Sequence, residues 1–371
     1  MEKVRVLCIL PTMNLCGGME NFYMSYYKNF SKDISVDFIT HENTSKEYKK
    51  MIEDRNDNLY IMPKIGLKNI KLFKRKLKEF FLEHHDYDAI HCNMANAAVF
   101  YFKEAKKYNI NVRILHSHQN KYADKISHKI RNIPLVFLGK RLTTHNMACT
   151  KAAGEFLFKH EKYTVINNAI DVNKFKYNKN IRTDFRKKEG LEDTFVIGNV
   201  GRFTKQKNQK FLLDVLKKIC EKKENTMLLL IGEGELEQEL MDYAKKIEVD
   251  KKVRFIKPRN DIENYYQIMD VFVLPSFYEG LGIVNIEAQT SGLHVFVSQN
   301  VPDEIAITDL VTFISLNETP EDWANKIINT NINMRHDYSI EITKNNYNIY
   351  EQAKKLEKYY KDAIKENRYG K

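Results

Sequence analysis

The sequence predicts an α/β protein made of two Rossmann-like, doubly wound parallel-sheet domains in tandem. Three observations carry this expectation. Short apolar runs alternate with longer helical stretches from end to end, the runs fall into two sets of six, and 371 residues suit two domains at roughly 150 residues each. In the first half the runs are residues 4–10, 35–40, 88–93, 112–117, 145–150 and 163–167. In the second they are 195–200, 227–231, 253–256, 271–275, 294–298 and 312–316. They are mostly apolar without strict alternation, as strands buried on both faces of a parallel sheet are. Residues 209–223 and 235–247 have helical periodicity and length, and strands alternating with helices mean βαβ units.

The boundary is expected at 167–173, where Asn-Asn-Ala-Ile-Asp-Val-Asn follows a strand and is rich in residues that tolerate turns. That gives an N-terminal domain over 1–168 and a C-terminal domain over 169–340. Residues 341–371 read as a helical tail packing back toward the first domain, with Tyr347, Ile349, Tyr350, Leu356 and Tyr359 as anchors.

A composition of 43% hydrophobic and 12% aromatic residues excludes wholesale disorder. The net charge is +11, from 60 basic and 49 acidic side chains. It is unevenly spread: residues 1–170 hold 28 basic against 17 acidic, while residues 171–371 hold 32 of each. The five cysteines (Cys8, Cys16, Cys92, Cys149, Cys220) form no CxxC pair, which argues against a zinc module and for a reducing compartment. No apolar stretch approaches the roughly 18–20 residues that span a bilayer. The N-terminus reads as a first strand rather than a signal peptide. A soluble, cytoplasmic protein is expected.

Candidate functional residues cluster at predicted strand ends, where α/β folds bind ligands. Gly17-Gly18-Met19-Glu20 follows the first strand; its glycine pair would let backbone amides approach an anion. It is not GxGxxG, so a dinucleotide site is disfavoured. His116-Ser117-His118 closes another strand. Alternation is taken to turn the two imidazoles to opposite faces, and no third ligand stands nearby, so a zinc pair is not expected. In the second half Gly201-Arg202 with Lys207-Asn208 offers a guanidinium fork and a point charge, suited to a diphosphate.

The strongest signal is Ser276-Phe-Tyr-Glu279-Gly280-Leu-Gly282-Ile283-Val284-Asn285-Ile-Glu287. One glutamate lies in a glycine-bearing loop after a strand and the second about one turn into the next helix. Carboxylates accept from sugar hydroxyls and first-turn amides donate to phosphate, so a nucleotide-sugar fits both.

With these motifs the sequence resembles the family 4 retaining glycosyltransferases of the GT-B fold, and most of all the branch that builds capsular and exopolysaccharides. Val165-Ile-Asn-Asn-Ala-Ile-Asp171 adds to the resemblance, which covers nearly the whole chain. It implies two Rossmann-like domains facing across a cleft, a nucleotide-sugar co-substrate (a UDP-sugar foremost) and no metal. It places Gly17 and Gly18 near the distal phosphate and sugar, and His118, or His116, on the transferred sugar and diphosphate. Arg202 and Lys207 would neutralise the diphosphate. Glu279 would orient donor-sugar hydroxyls, Glu287 would accept from the ribose, and the amides of Gly282, Ile283 and Val284 would meet phosphate and sugar. Asn285, in a run usually apolar, and His294, where proline is common, depart from the pattern.

The resemblance also places the acceptor mainly in the N-terminal domain, which gives the basic half a reading. Lys64, Lys68, Lys71, Lys74, Arg75, Lys76 and Lys78 occur with no acid among them, and Ile70, Phe73, Leu77 and Phe80 repeat at helical spacing. This reads as a basic amphipathic helix for anionic headgroups, followed by a second cluster at Lys121, Lys125, Lys129 and Arg131. The expected acceptor is a polyprenyl-diphosphate-linked or other glycan at the inner face of the membrane, with the protein peripherally associated there. Alternatives are a soluble or protein acceptor, or a non-catalytic partner of another transferase. Nothing resembles a nucleic-acid-binding motif.

Overall fold

A computed structural model describes residues 3–14, 18–42, 44–66, 68–119, 126–332 and 335–369, with the side chains of 126–129 and 369 left aside. The chain divides into two compact units, Met1–Ala169 with Ile349–Lys371, and Ile170–Asn348.

The first unit holds seven strands: β1 (Val4–Ile9), β2 (Ile34–Thr40), β3 (Leu59–Ile61), β4 (Ala89–Cys92), β5 (Val112–Ser117), β6 (His145–Ala148) and β7 (Thr164–Val165). Every pairing is parallel, in the order β3-β2-β1-β4-β5-β6-β7. The chain reverses its direction of travel between β1 and β4, a topological switch point. Edge strand β3 is absent from the sequence-based expectation; it has three residues, two half-buried and one exposed, too short to stand out as an apolar run.

The second unit holds six: β8 (Phe195–Val200), β9 (Thr226–Ile231), β10 (Val253–Ile256), β11 (Val271–Leu274), β12 (His294–Ser298) and β13 (Val311–Ile314), one for each predicted run. They are parallel in the order β10-β9-β8-β11-β12-β13, with the switch point between β8 and β11. In each unit two apolar clusters cover the two faces of the sheet, which is why the strands carry apolar residues on both sides.

The Ile70–Glu83 helix buries Phe73, Leu77, Phe80 and Phe81 in a core cluster, with Ile70 packed at its edge. Its apolar stripe is therefore spent on the sheet and cannot enter a bilayer, which corrects the expected mode of membrane contact. Lys71, Lys74, Arg75, Lys76 and Lys78 remain exposed. Among the described residues no helix is long and apolar enough to cross a membrane.

A short helix, Ser339–Lys344, precedes the C-terminal helix Ile349–Tyr369, which lies in the first unit. Tyr347, Ile349 and Leu356 are buried, but Tyr350 is exposed. The deep anchor is Tyr360, fully buried in the core beneath β1 and β4.

Candidate functional site

Side chains gather at the carboxyl ends of the strands beside each switch point, and the two gatherings differ in chemistry.

In the first unit, β1 runs out through Pro11 and the first helix starts at Gly18 (Gly18–Lys28); Gly17 lies outside the described residues. A Cβ on Gly18 would meet no atom within 4 Å, so there is open space beside this residue. Glu20 is buried and accepts from the Thr12 hydroxyl.

Beside it, a cavity of about 310 Å³ is lined by Pro11, Asn93, His116, His118, Asn132 and Val136 among others. His116 and His118 do not face apart: their ring centroids are 4.1 Å from each other. Residues two apart in a strand share a face, so the expected divergence is corrected. Phe22 sets its ring edge-on to both, at 5.2 and 5.1 Å.

A third histidine joins them. His91, on β4, places Nε2 3.0 Å from His116 Nδ1 and Nδ1 2.6 Å from the Tyr360 hydroxyl, which lies 2.8 Å from that of Tyr23. The C-terminal helix thus reaches the pocket through a buried polar chain. Asn93 Nδ2 donates to the Ile9 carbonyl at 3.2 Å, so its Oδ1 accepts from His118 Nε2 at 2.8 Å. Neutral His118 then carries its lone pair on Nδ1. Burial drives all three imidazoles toward the neutral form: His91 and His118 fall to about 3, and His116 is lowered as well. His91 has both ring nitrogens engaged, while His118 Nδ1 can accept from a hydroxyl and His116 Nε2, which has no partner among the described residues, is left to bond a ligand. None of the three brings charge. Among the described residues no group of three or more His, Cys, Asp or Glu is arranged to hold a metal ion.

Sequence reasoning missed His91, Asn93 and Tyr360. His91-Cys92-Asn93 closes β4 as His116 closes β5, so the strand-end argument applied equally there.

In the second unit the loops after β8 and β11 meet at the switch point. Phe277 N donates to the Gln206 carbonyl at 2.8 Å, and Asn208 Nδ2 to the Pro275 carbonyl at 3.2 Å. Across this join Lys207 Nζ lies 2.8 Å from Glu279 Oε1, which also accepts from Ser276 Oγ at 2.6 Å. Both members of the pair are shielded, with side chains 16% and 6% exposed. Arg202 is exposed and its side chain pairs with no carboxylate among the described residues.

Gly282 has φ 71°, and a Cβ there would lie 2.8 Å from Asn285 Nδ2. Glycine is required on both counts. Asn285 is fully buried with neither amide atom hydrogen-bonded. The Val284–Thr290 helix carries Glu287 in its first turn. The Tyr266 hydroxyl donates to Glu287 Oε2 at 2.7 Å, yet burial outweighs that bond and pushes the carboxyl up to about 7. The structure therefore brings Lys207, Ser276, Glu279 and Gly282 into one loop system, while Glu287 lies in the following helix against Tyr266. Lys121 and Lys125 lie outside the described residues.

A family model described as glycosyl transferases group 1 matches residues 181–348, nearly the whole second unit. Over 338 residues the chain is 32% identical to the Bacillus subtilis protein named glycosyltransferase EpsF, covering 88% of this chain and 87% of that one. The chain belongs to the group 1 glycosyl transferases. This group 1 glycosyl transferase is also 36% identical over 142 residues to a UDP-Gal:alpha-D-GlcNAc-diphosphoundecaprenol alpha-1,3-galactosyltransferase of Escherichia coli, covering 37% of this chain and 36% of that one. With the capsular polysaccharide glycosyltransferase CapH of Staphylococcus aureus the identity is 25%, covering 87% and 90%. The solved structure of Anabaena HepE in complex with UDP-glucose matches at a TM-score of 0.70 and 19% identity, covering 98% of this chain and 97% of that one. It supports the GT-B fold. The relatives thus include enzymes of capsule synthesis and of lipid-linked glycan assembly.

Proposed function

We propose that this glycosyltransferase moves a hexosyl or N-acetylhexosaminyl group from a UDP-sugar to a polyprenyl-diphosphate-linked glycan, with retention at the anomeric carbon and without a metal. The observation that carries the reading is the Lys207–Glu279–Ser276 cluster, which holds one carboxylate and one ammonium at the β8/β11 switch point beside Gly282, where the chain leads into the helix that carries Glu287. A strand-end pair of opposite charges serves a donor with two faces, phosphate and sugar.

Arg202 and Lys207 would stabilise the departing UDP. Glu279 would accept from donor-sugar hydroxyls and Glu287 from the ribose, with the amides of Gly282, Ile283 and Val284 on phosphate and sugar. Gly17, Gly18, His116 and His118 would meet the sugar and diphosphate from the first unit, the histidines as neutral hydrogen-bonding groups. As the bond from the anomeric carbon to the leaving oxygen breaks, the acceptor hydroxyl bonds to the same face and passes its proton to the leaving phosphate. No enzymic nucleophile is needed. The named donor of HepE's bound complex and the named donor and acceptor of the E. coli relative support this choice of substrates.

The test is UDP release from UDP-glucose, UDP-galactose and UDP-N-acetylglucosamine in excess EDTA, with a polyprenyl-diphosphate-linked sugar as acceptor. Turnover with one of them, and an NMR spectrum of the product showing the donor's anomeric configuration, are expected. Turnover only with added metal, or an inverted product, would contradict the mechanism, and transfer from a GDP-sugar alone would change the donor.

A further inference from the structure

His91 and Tyr360 are fully buried polar groups for which the proposed reaction has no use. Neither side chain is among those that line the histidine cavity. They stand instead in a chain from Tyr23 through Tyr360 and His91 to His116, with links of 2.8, 2.6 and 3.0 Å. Each hydroxyl and each neutral imidazole in it owns one proton. The direction of any one link therefore fixes the direction of the others.

The link between Tyr360 and His91 decides the order. A phenol hydroxyl is a better donor than a neutral imidazole N–H, and an imidazole nitrogen is a better acceptor than a phenol oxygen. The 2.6 Å contact is thus the Tyr360 hydroxyl donating to His91 Nδ1. His91 then carries its proton on Nε2 and donates it to His116 Nδ1. His116 in turn carries its proton on Nε2, the buried atom that has no partner among the described residues, and His116 does line the cavity. At the other end Tyr360, its own proton given to His91, accepts from the Tyr23 hydroxyl.

His118 is fixed the other way round. Its Nε2 donates to Asn93 Oδ1 at 2.8 Å, which leaves the lone pair on Nδ1. Two rings with centroids 4.1 Å apart therefore offer one donor, on His116, and one acceptor, on His118. A substrate hydroxyl suits the acceptor, and the donor requires an oxygen with a free lone pair.

We propose that Tyr360 and His91 are positioning residues that fix His116 as a hydrogen-bond donor, through Nε2–H, to an oxygen of the sugar nucleotide. That oxygen belongs to the transferred sugar or to its diphosphate, since either accepts from an N–H. The identity of the ligand rests on the proposed use of a UDP-sugar; the tautomer of His116 does not.

The experiment is nitrogen NMR of the full chain with isotope-labelled histidine rings, recorded without ligand. The two nitrogens of a neutral imidazole give distinct signals according to which one bears the proton, and those of His116 are identified by their loss in His116→Gln. In the parent, His91 and His116 are both expected to be protonated on Nε2. Tyr360→Phe is compared with Tyr23→Phe, which takes a hydroxyl from the same core but leaves the Tyr360–His91 bond in place. The His116 signals are expected to move in Tyr360→Phe and to stay in Tyr23→Phe. The same preparations are titrated with UDP, UDP-glucose, UDP-galactose and UDP-N-acetylglucosamine. Affinity for the UDP-sugar that the parent binds should fall by about threefold to tenfold in Tyr360→Phe. A fall shared by UDP assigns the oxygen to the diphosphate, and a fall confined to the UDP-sugar assigns it to the sugar. A parent His116 protonated on Nδ1 would overturn the proposal, as would parental His116 signals or parental UDP-sugar affinity in Tyr360→Phe. A parent that binds none of these ligands would instead break the catalytic reading, while the tautomer is still decided in the free protein.

Discussion

The two units share an architecture and divide the electrostatics. The first keeps its strand-end site neutral, with three imidazoles stripped of charge by burial, and wears its charge on outer helices. The second, with 25 basic against 28 acidic side chains over residues 170–348, has no excess of positive charge but concentrates ionised groups at its strand ends, in the Lys207–Glu279 pair and exposed Arg202. A fold of parallel strands offers the same position at each switch point; the residues that close the strands decide whether it presents neutral or charged groups there.

The largest expected effect tests the charged side. Lys207→Ala should lower sugar transfer by roughly 10²–10³, about 2.7–4 kcal/mol of barrier, as removal of a preorganised donor does, and Arg202→Ala should do the same. UDP release assays check this, and near-normal turnover in both variants would place the charge-stabilising groups elsewhere. On the neutral side, Tyr360→Phe leaves the buried His91 Nδ1 and the Tyr23 hydroxyl short of a partner. Urea denaturation should register a loss of about 1–3 kcal/mol, and an unchanged stability would show that the polar chain contributes nothing.

Glu287 sharpens the comparison through pH. Its folded-state carboxyl titrates near 7 against an ordinary 4.5, so between those values the native state binds more protons than the unfolded one. Its contribution to stability is then full below about 4.5 and falls as pH rises toward 7. Glu287→Gln should flatten that slope, by roughly 1–3 kcal/mol, in unfolding curves taken across this window. The smallest effect is expected at Ile133→Ser, which should leave folding stability within about 0.5 kcal/mol because the side chain faces outward from the Ile126–Lys140 helix. A large loss there would mean that the helix is packed otherwise.

What the sequence made legible follows the same division. Eleven strands stood out because burial on both faces writes a continuous apolar run, and two-residue β7 fell within the expected 163–167 run. Edge strand Leu59–Ile61 did not, being short and half-covered. The second unit's site was readable because Lys207, Glu279, Gly282 and Glu287 sit in contiguous loop-and-helix motifs. The first unit's chain was not: Tyr23, His91, His116 and Tyr360 come from four elements, joined by the pairing of β4 with β5 and by the packing of the C-terminal helix on the first helix and β5. The lysine helix shows the limit from another direction. Periodicity revealed an apolar stripe over Phe73 and Leu77 but not what covers it, and the sheet does. In the Ile126–Lys140 helix apolar residues fall on both sides, so no stripe announced which one faces out.

The most direct test of the donor site is thermal unfolding with and without UDP, in EDTA, for the parent and for Lys207→Ala. A ligand at a hundred times its dissociation constant adds about 2.7 kcal/mol, which should raise the parent midpoint by a few degrees and the variant's by much less. No shift with UDP in the parent, or an equal shift in both proteins, would contradict the assignment of the donor's diphosphate to this pair.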